Sequence, residues 1–391
     1  MIDTVILTIP YGKFTITDNS KFVPNTTNFI YSSYDKAVNN PTKEYSRYSY
    51  FPRMTLYKRI SQFGRQIELR IEFSASKIIY DNNLDELEEK DFSKLVELLQ
   101  QKLELRGVRI SLNDLRNASV SVFHPSKNIQ LFGYYTATSV IKELSKINLT
   151  KRLDLTKTGF RNEGHSLQYY SNSHSLVFYD KIADMNKAKG RAIDKDQTGL
   201  QLNLFQSIQE MRRYDCVEIL KMEVRLSKKQ KMNKVLEGLG YVKNPSLRRV
   251  FRKKLNQKIL LDYWKVIIQE KNGFIFDLDE KDIRKELEII LGNSKKKAKN
   301  SLFLLGLKQF IKQKSVRELR NIIEDKYGKN GWARFPLYLN ELSKIYKKRV
   351  GKNQITYIED IQRALQEFEP LRSQNLTNPI AYADSLQCKA L

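Results

Sequence analysis

Residues 173–182 read SHSLVFYDKI. Leu176, Val177 and Phe178 are strand formers, and the alternation of side chains along a strand puts Tyr179 and Lys181 on one face. The preceding LQYY (167–170) has the same character, and the polar SNS between the two supplies a turn, so the stretch reads as an antiparallel hairpin. A phenol and an ammonium side by side admit two readings. One is an edge strand carrying an amphipathic tyrosine and a solvated lysine. The other is a nucleophilic tyrosine beside a cation that holds a phosphate.

Outward from this hairpin, TVILTI (4–9) reads as a strand, and RQIELRIEFSASKI (65–78) as a long alternating one. Its Glu68, Arg70 and Glu72 share one face, and Ile67, Leu69, Ile71 and Phe73 share the other. A helix is expected over 84–105, a strand over 117–131, a helix around 137–148, another at 199–213, and a strand over 217–226 (VEILKMEVRL). A mobile loop is expected at 186–199. Interspersed helices with antiparallel hairpins predict an α+β fold with one mostly antiparallel sheet. From about residue 240 the pattern changes to helices joined by basic linkers, so the chain divides into 1–240 and a smaller helical part, 241–391. There Ser315 and Glu318 form a capping-box start for a helix ending at Gly328, with SLFLLGLKQFI as its packing partner. Such a pair is a helix-turn-helix or any helical hairpin.

The chain has 391 residues, too many for one ordinary core, and 41% hydrophobic content, which is globular. Lys and Arg number 69 against 44 Asp and Glu, a net charge of +25. That excess favours a polyanion, and nucleic acid is the commonest large one. No apolar run reaches the length of a membrane span, and MIDTVILTIP at the start alternates like a strand rather than a signal peptide. The two cysteines, Cys216 and Cys388, lie far apart without metal-type neighbours, which fits a reducing compartment. A soluble intracellular protein is expected. No phosphate-cradling GxxxxGK[ST], no HExxH and no zinc pattern occurs, so any reaction should run without ATP.

A nuclease that joins itself to DNA needs a phenol in line with a phosphodiester, a divalent metal and a nearby cation. The metal is usually Mg²⁺ or Mn²⁺, held by carboxylates and sometimes imidazole. Glu72, His124 and Glu223 are the mid-strand candidates, with Tyr179 as nucleophile and Lys181 as cation. Each has an ordinary explanation as well: Glu72 and Glu223 as members of charge-laddered strands, His124 as a structural histidine beside Pro125. Lys181 is expected to hold the scissile phosphate or to lower the phenol's pKa. The tyrosine-rich stretch 31–59, mixed with Lys and Arg, suits stacking on unpaired bases or ordinary hairpin packing.

In order, MIDTVILTIPYGKF, IEFSASKI, VSVFHPSKN, VFYDK and KMEVRL resemble the replication initiators of filamentous phages and related plasmids. These are the gene II/gene X type rolling-circle endonucleases. The resemblance runs over about the first 230 residues, with a weaker likeness in the helical tail. It implies a fold related to the HUH endonucleases and a Tyr-x-Lys nicking motif, matched by Tyr179 and Lys181. It places His124 where the family has an Asp, Glu223 on the acid of an R-F-E-x-R strand, and Glu72 on the acid opening an E-x-x-A-S-like stretch. Where HUH enzymes have two histidines around one apolar residue, this chain has Val122-Phe123-His124, so one is missing. Related plasmid initiators carry the nucleophile one strand earlier, which keeps Tyr169 and Tyr170 as rivals.

The activity so implied is nicking of one strand of a double-stranded origin through a 5′-phosphotyrosyl link, priming of rolling-circle synthesis, and rejoining of the displaced single strand. Mg²⁺ or Mn²⁺ would be the cofactor. Host helicase, polymerase and single-strand-binding protein would be partners in the bacterial cytoplasm. The alternative is a non-catalytic, sequence-specific DNA-binding initiator or repressor, which rests on the charge and the helical tail. A single-strand binder using the N-terminal tyrosines is a third reading.

Overall fold

The computed structural model describes residues 1–42, 49–61, 64–132, 135–145, 147, 159–161, 164–171, 173–186, 217–269, 283–293, 298–313, 316–347 and 357–376. The helix expected at 199–213, nearly all of the loop at 186–199, and Ser315 of the expected capping box lie outside these residues.

The strands in chain order are β1 (Ile2–Pro10), β2 (Thr15–Ile16), β3 (Lys36–Asn39), β4 (Arg53–Ser61), β5 (Gly64–Ser74) and β6 (Val108–Arg109). They continue with β7 (Ser119–Leu131), β8 (Gly159–Arg161), β9 (Ser166–Tyr170), β10 (His174–Asp180) and β11 (Glu218–Leu226). Among the described residues nine of them form one sheet in the order β3-β4-β5-β1-β7-β11-β10-β9-β8, and β2 pairs with β6 apart from it. Every neighbouring pair in the sheet is antiparallel. This is the α+β architecture expected, a large antiparallel sheet with flanking helices and a helical C-terminal region.

The period-2 patterning makes the sheet two-sided. Val5, Leu7, Leu69, Ile71, Phe73, Phe123, Leu176, Phe178, Met222 and Val224 face one core. Helices Phe92–Leu105, Ala137–Ser145, Lys253–Gln269 and Tyr357–Glu367 supply side chains to it, so the core of the sheet continues into helices beyond residue 240. Trp264 meets Phe178 edge to face at 6.5 Å and donates a 2.9 Å hydrogen bond to Gln362. Helices within 283–347 gather around a second apolar cluster that includes Ile290, Leu304, Ile311, Leu339 and Leu342. The helix Val316–Trp332 is broken at Gly328 (φ 68°), the residue whose freedom at positive φ marked a stop in the sequence.

Two elements differ from the sequence reading. The strand expected to run to residue 78 ends at Ser74, and Ala75–Tyr80 is helical. Alternation fails there because Ala75, Ser76, Lys77 and Ile78 are all buried, and the Tyr50 hydroxyl accepts from the Ser74 N–H at 2.8 Å. The helix expected from 84 begins at Phe92. Glu88 and Asp91 form a capping box just before it, and the upstream turn is pinned by Glu86.

Glu86 is buried and paired with Lys127, and its carboxylate also accepts from the Asn128 N–H (2.7 Å) and the Leu371 N–H (2.9 Å). Burial pushes its pKa up, but Lys127, the N-terminal ammonium and the Leu371 N–H outweigh burial and hold it down to about 2. A carboxylate with a depressed folded pKa stabilises the fold above its unfolded value and loses that contribution as pH falls through the folded value. Glu86 should therefore contribute on the order of 3 kcal/mol at neutral pH that disappears between about pH 4.5 and 2. Denaturant midpoints measured against pH, wild type beside Glu86→Gln, should converge at the acid end.

Candidate active site on the polar face of the sheet

The face opposite the core carries the charged residues. Cross-strand register places Tyr179 opposite Lys221 and Val177 opposite Glu223 on β10 and β11. On β7, Ser126 stands opposite Glu223. Glu72 on β5 is opposite Ile6 of β1 and Arg53 of β4. Six adjacent strands, β4-β5-β1-β7-β11-β10, thus meet along one polar surface.

Lys181 does not lie on the strand with Tyr179, as alternation implied. β10 stops at Asp180, whose carboxylate accepts from the Ala183 N–H at 2.9 Å and so starts the short helix Lys181–Asn186. Ile182 and Met185 of that helix pack with Leu84, Val217 and Ile219, which buries Lys181 completely. The lysine still reaches the tyrosine: its Nζ lies 5.8 Å from the Tyr179 ring centroid, and Lys221 Nζ is at the same distance.

Lys221 and its partner Asp3 are site residues that sequence reasoning did not single out. Asp3 Oδ1 accepts from Lys221 Nζ at 2.5 Å, and both side chains are largely buried. Burial works against the charge on Asp3, but Lys221 prevails and holds its pKa far below the carboxylate range. Burial also works against Lys221, and Asp3 prevails there, raising the amine above its ordinary value. For Tyr179 burial wins. The phenol is pushed well above 10, with Lys221 the main opposing influence. The expectation that the neighbouring Lys181 lowers the phenol is corrected: desolvation outweighs the lysines, and Lys181 itself falls to about 7, chiefly through burial and then through Lys221.

His124 Nδ1 is 3.0 Å from Glu223 Oε1, and Arg225 Nε donates to the same oxygen at 2.9 Å. Burial raises Glu223, but Arg225 and His124 bring it down to about 2, so it is a carboxylate at neutral pH.

Residues 1–248 match the N-terminal part of the phage replication-associated protein family of the gene II type. That is well over half of the chain. The chain belongs to this family. No curated protein and no solved structure matches it.

Membership in this replication-associated family carries a role in phage replication as an initiator, and with it DNA as the macromolecular partner. Among the described residues no helix is long and apolar enough to cross a membrane. Of the expected metal ligands, the structure brings His124 and Glu223 together and leaves Glu72 apart. Glu72 lines a polar cleft of about 130 Å³ with Asp3, Tyr50, Arg53 and Lys77. Among the described residues no three His, Cys, Asp or Glu side chains converge as a metal-holding group. Mg²⁺ commonly takes one or two carboxylates and fills its shell with water and substrate phosphate. By donor type, His124 and Glu223 fit such an open site.

The rival tyrosines of this phage-family chain separate by face. Tyr169 stands opposite Leu176, on the core side, and is 1% exposed. Its hydroxyl donates to the carbonyls of Leu144 and Ile147 at the end of helix Ala137–Ser145. Tyr170 stands opposite Ser175 and so belongs to the face of Tyr179. Tyr169→Phe should cost roughly 1 kcal/mol of stability, the worth of a buried hydrogen bond. It should leave DNA affinity at the wild-type level, checked by denaturant melts and salt-titrated DNA binding.

Proposed function

We propose that the chain is a nicking and joining endonuclease of the phage origin, with Tyr179 as nucleophile. The observation that carries this reading is the position of Tyr179. It is half-buried on the polar face, between two lysine ammonium positions and next to the strand that bears Glu223 and its partner His124. The phenolic oxygen attacks a phosphodiester of one origin strand and forms a 5′-phosphotyrosyl link, releasing a 3′-hydroxyl that primes host polymerase. The link conserves the energy of the phosphodiester, so rejoining the displaced single strand needs no nucleotide site. Lys221, charged and anchored by Asp3, holds the phosphate in line with the ring oxygen. A Mg²⁺ or Mn²⁺ ion on His124 and Glu223, its shell completed by water and substrate phosphate rather than by the separate Glu72, would neutralise charge developing on the phosphoryl oxygens.

Residues 1–240 are the nicking part in this proposal. The helices of 241–391, with their basic linkers, hold duplex phosphates or regulate the nick, which makes affinity strongly salt-dependent. Host helicase and single-strand-binding protein would act on the displaced strand in the bacterial cytoplasm.

A second reading, a DNA-binding initiator that cuts nothing, is favoured by one observation: the burial that drives the Tyr179 phenol away from ionisation. A labelled supercoiled plasmid carrying the phage origin separates the two. Nicking predicts label that stays on the protein through a denaturing gel, with Mg²⁺ and not with EDTA. Tight binding with no adduct under either condition hands the case to the second reading.

A further inference from the structure

Lys181 is fully buried, and its Nζ has no hydrogen-bond partner among the described residues. Among the described residues its ion-pair partner is Asp184 Oδ2 on the same short helix, 3.9 Å away. Lys221, equally close to the Tyr179 ring, is by contrast held at 2.5 Å by Asp3. Two lysines beside one phenol are thus in different situations: one is a locked ion pair, the other a buried amine without a hydrogen bond.

We propose that Lys181 is the base that takes the phenolic proton of Tyr179, and that Lys221, fixed by Asp3, is a positioning residue that keeps Lys181 uncharged. The proposal rests on the nicking reading above. Burying an amine disfavours its ammonium form. The charged groups around Lys181 do not restore it: Lys221 on β11 and Lys77 on helix Ala75–Tyr80 oppose its charge, and Asp184 and Asp3 support it less than burial opposes it. The outcome is an amine near 7, about half neutral at neutral pH, beside a phenol that burial keeps protonated. Lys181 Nζ makes no hydrogen bond to the phenolic oxygen in this arrangement, so the proposed transfer requires the lysine tail to turn or one water to relay the proton.

In the step, the Tyr179 O–H bond breaks and its proton moves to Lys181 Nζ, giving an ammonium. The oxygen–phosphorus bond forms, and the bond from phosphorus to the 3′-oxygen breaks. Its electron pair stays on that oxygen, which takes a proton from water and leaves hydroxide in solvent. Rejoining runs the step backwards. The incoming 3′-hydroxyl gives up its proton to hydroxide, regenerating water, and the departing phenolate recovers its own from Lys181.

The test is single-turnover adduct formation by the full chain on labelled origin-bearing plasmid, at saturating Mg²⁺, from pH 5.5 to 8.5. Wild type should rise about tenfold from pH 6 to a plateau near 8, as expected for a base with a pKa near 7. Lys181→Arg keeps the charge but cannot lose its proton, and should fall at least about a hundredfold at pH 7.5 with no inflection. Lys181→Ala should be rescued by added small primary amines in proportion to their neutral form, which a merely structural lysine would not show. In Asp3→Asn/Lys221→Met the inflection should move to higher pH. Lys181→Arg nicking at the wild-type rate, or Lys181→Ala indifferent to amines, overturns the assignment while leaving the Tyr179 adduct intact. No wild-type adduct at any pH overturns the nicking reading, and this inference with it.

Discussion

Tyr179→Phe should abolish the covalent protein–DNA adduct and lower origin nicking by at least about a thousandfold, the scale seen when a covalent nucleophile is removed. The substitution deletes one oxygen from a half-buried ring and little else. Phe keeps the aromatic face to which Lys181 and Lys221 lie 5.8 Å away, and the strand remains anchored by Phe178 against Trp264 in the core. Folding and DNA affinity should therefore stay near wild type, so loss of the adduct reports chemistry. Thermal melts and salt-titrated binding on the same preparations check that directly. The contrast with Tyr169→Phe sharpens the result, because that hydroxyl is committed to backbone carbonyls on the opposite face. An adduct that survives in Tyr179→Phe at the wild-type rate would move the nucleophile to Tyr170, whose register puts it on the same face.

The hairpin around Tyr179 was legible because it depends on local rules: strand formers on both sides of a polar turn, and alternation within each strand. The structure pairs Ser175 with Tyr170 and Leu176 with Tyr169, and the Ser171 N–H donates to the His174 carbonyl at 2.9 Å, closing the turn. Alternation also put Glu72 away from Ile71 and Phe73 correctly. It misled at Lys181, where period 2 continues on paper but Asp180 caps a helix, a side-chain choice that alternation does not register. What was illegible depends on long-range contact. Asp3 and Lys221 are 218 positions apart, and only the sheet order β1-β7-β11 brings them together. Burial is equally invisible in a charged motif, so Tyr179 and Lys181 invited the idea of an acidified phenol when desolvation acts on both, raising one and lowering the other. His124 and Glu223 carried no signal of their mutual contact beyond residence on separate strands.

The Asp3–Lys221 pair should show the second large effect, and it separates what holds the site from what uses it. Removing one member of a buried ion pair leaves the other charge without compensation, which costs roughly 3–5 kcal/mol. Asp3→Asn and Lys221→Met should each lose stability on that scale in urea melts. The double variant Asp3→Asn/Lys221→Met should recover most of it, because two neutral groups carry no charge to desolvate. The pH dependence follows from the directions of the two shifts. Asp3, depressed in the folded state, contributes stability above its ordinary 3.8 that fades as pH falls below it. Lys221, raised in the folded state, contributes below its ordinary 10.5 and loses that contribution as pH climbs beyond it. The double variant should lack both flanks. If it folds as well as wild type yet nicks slowly, the pair serves the tyrosine rather than the sheet. If it nicks normally once stability is restored, the phosphate must be held by other cations, and Lys221 is a structural neighbour of the ring.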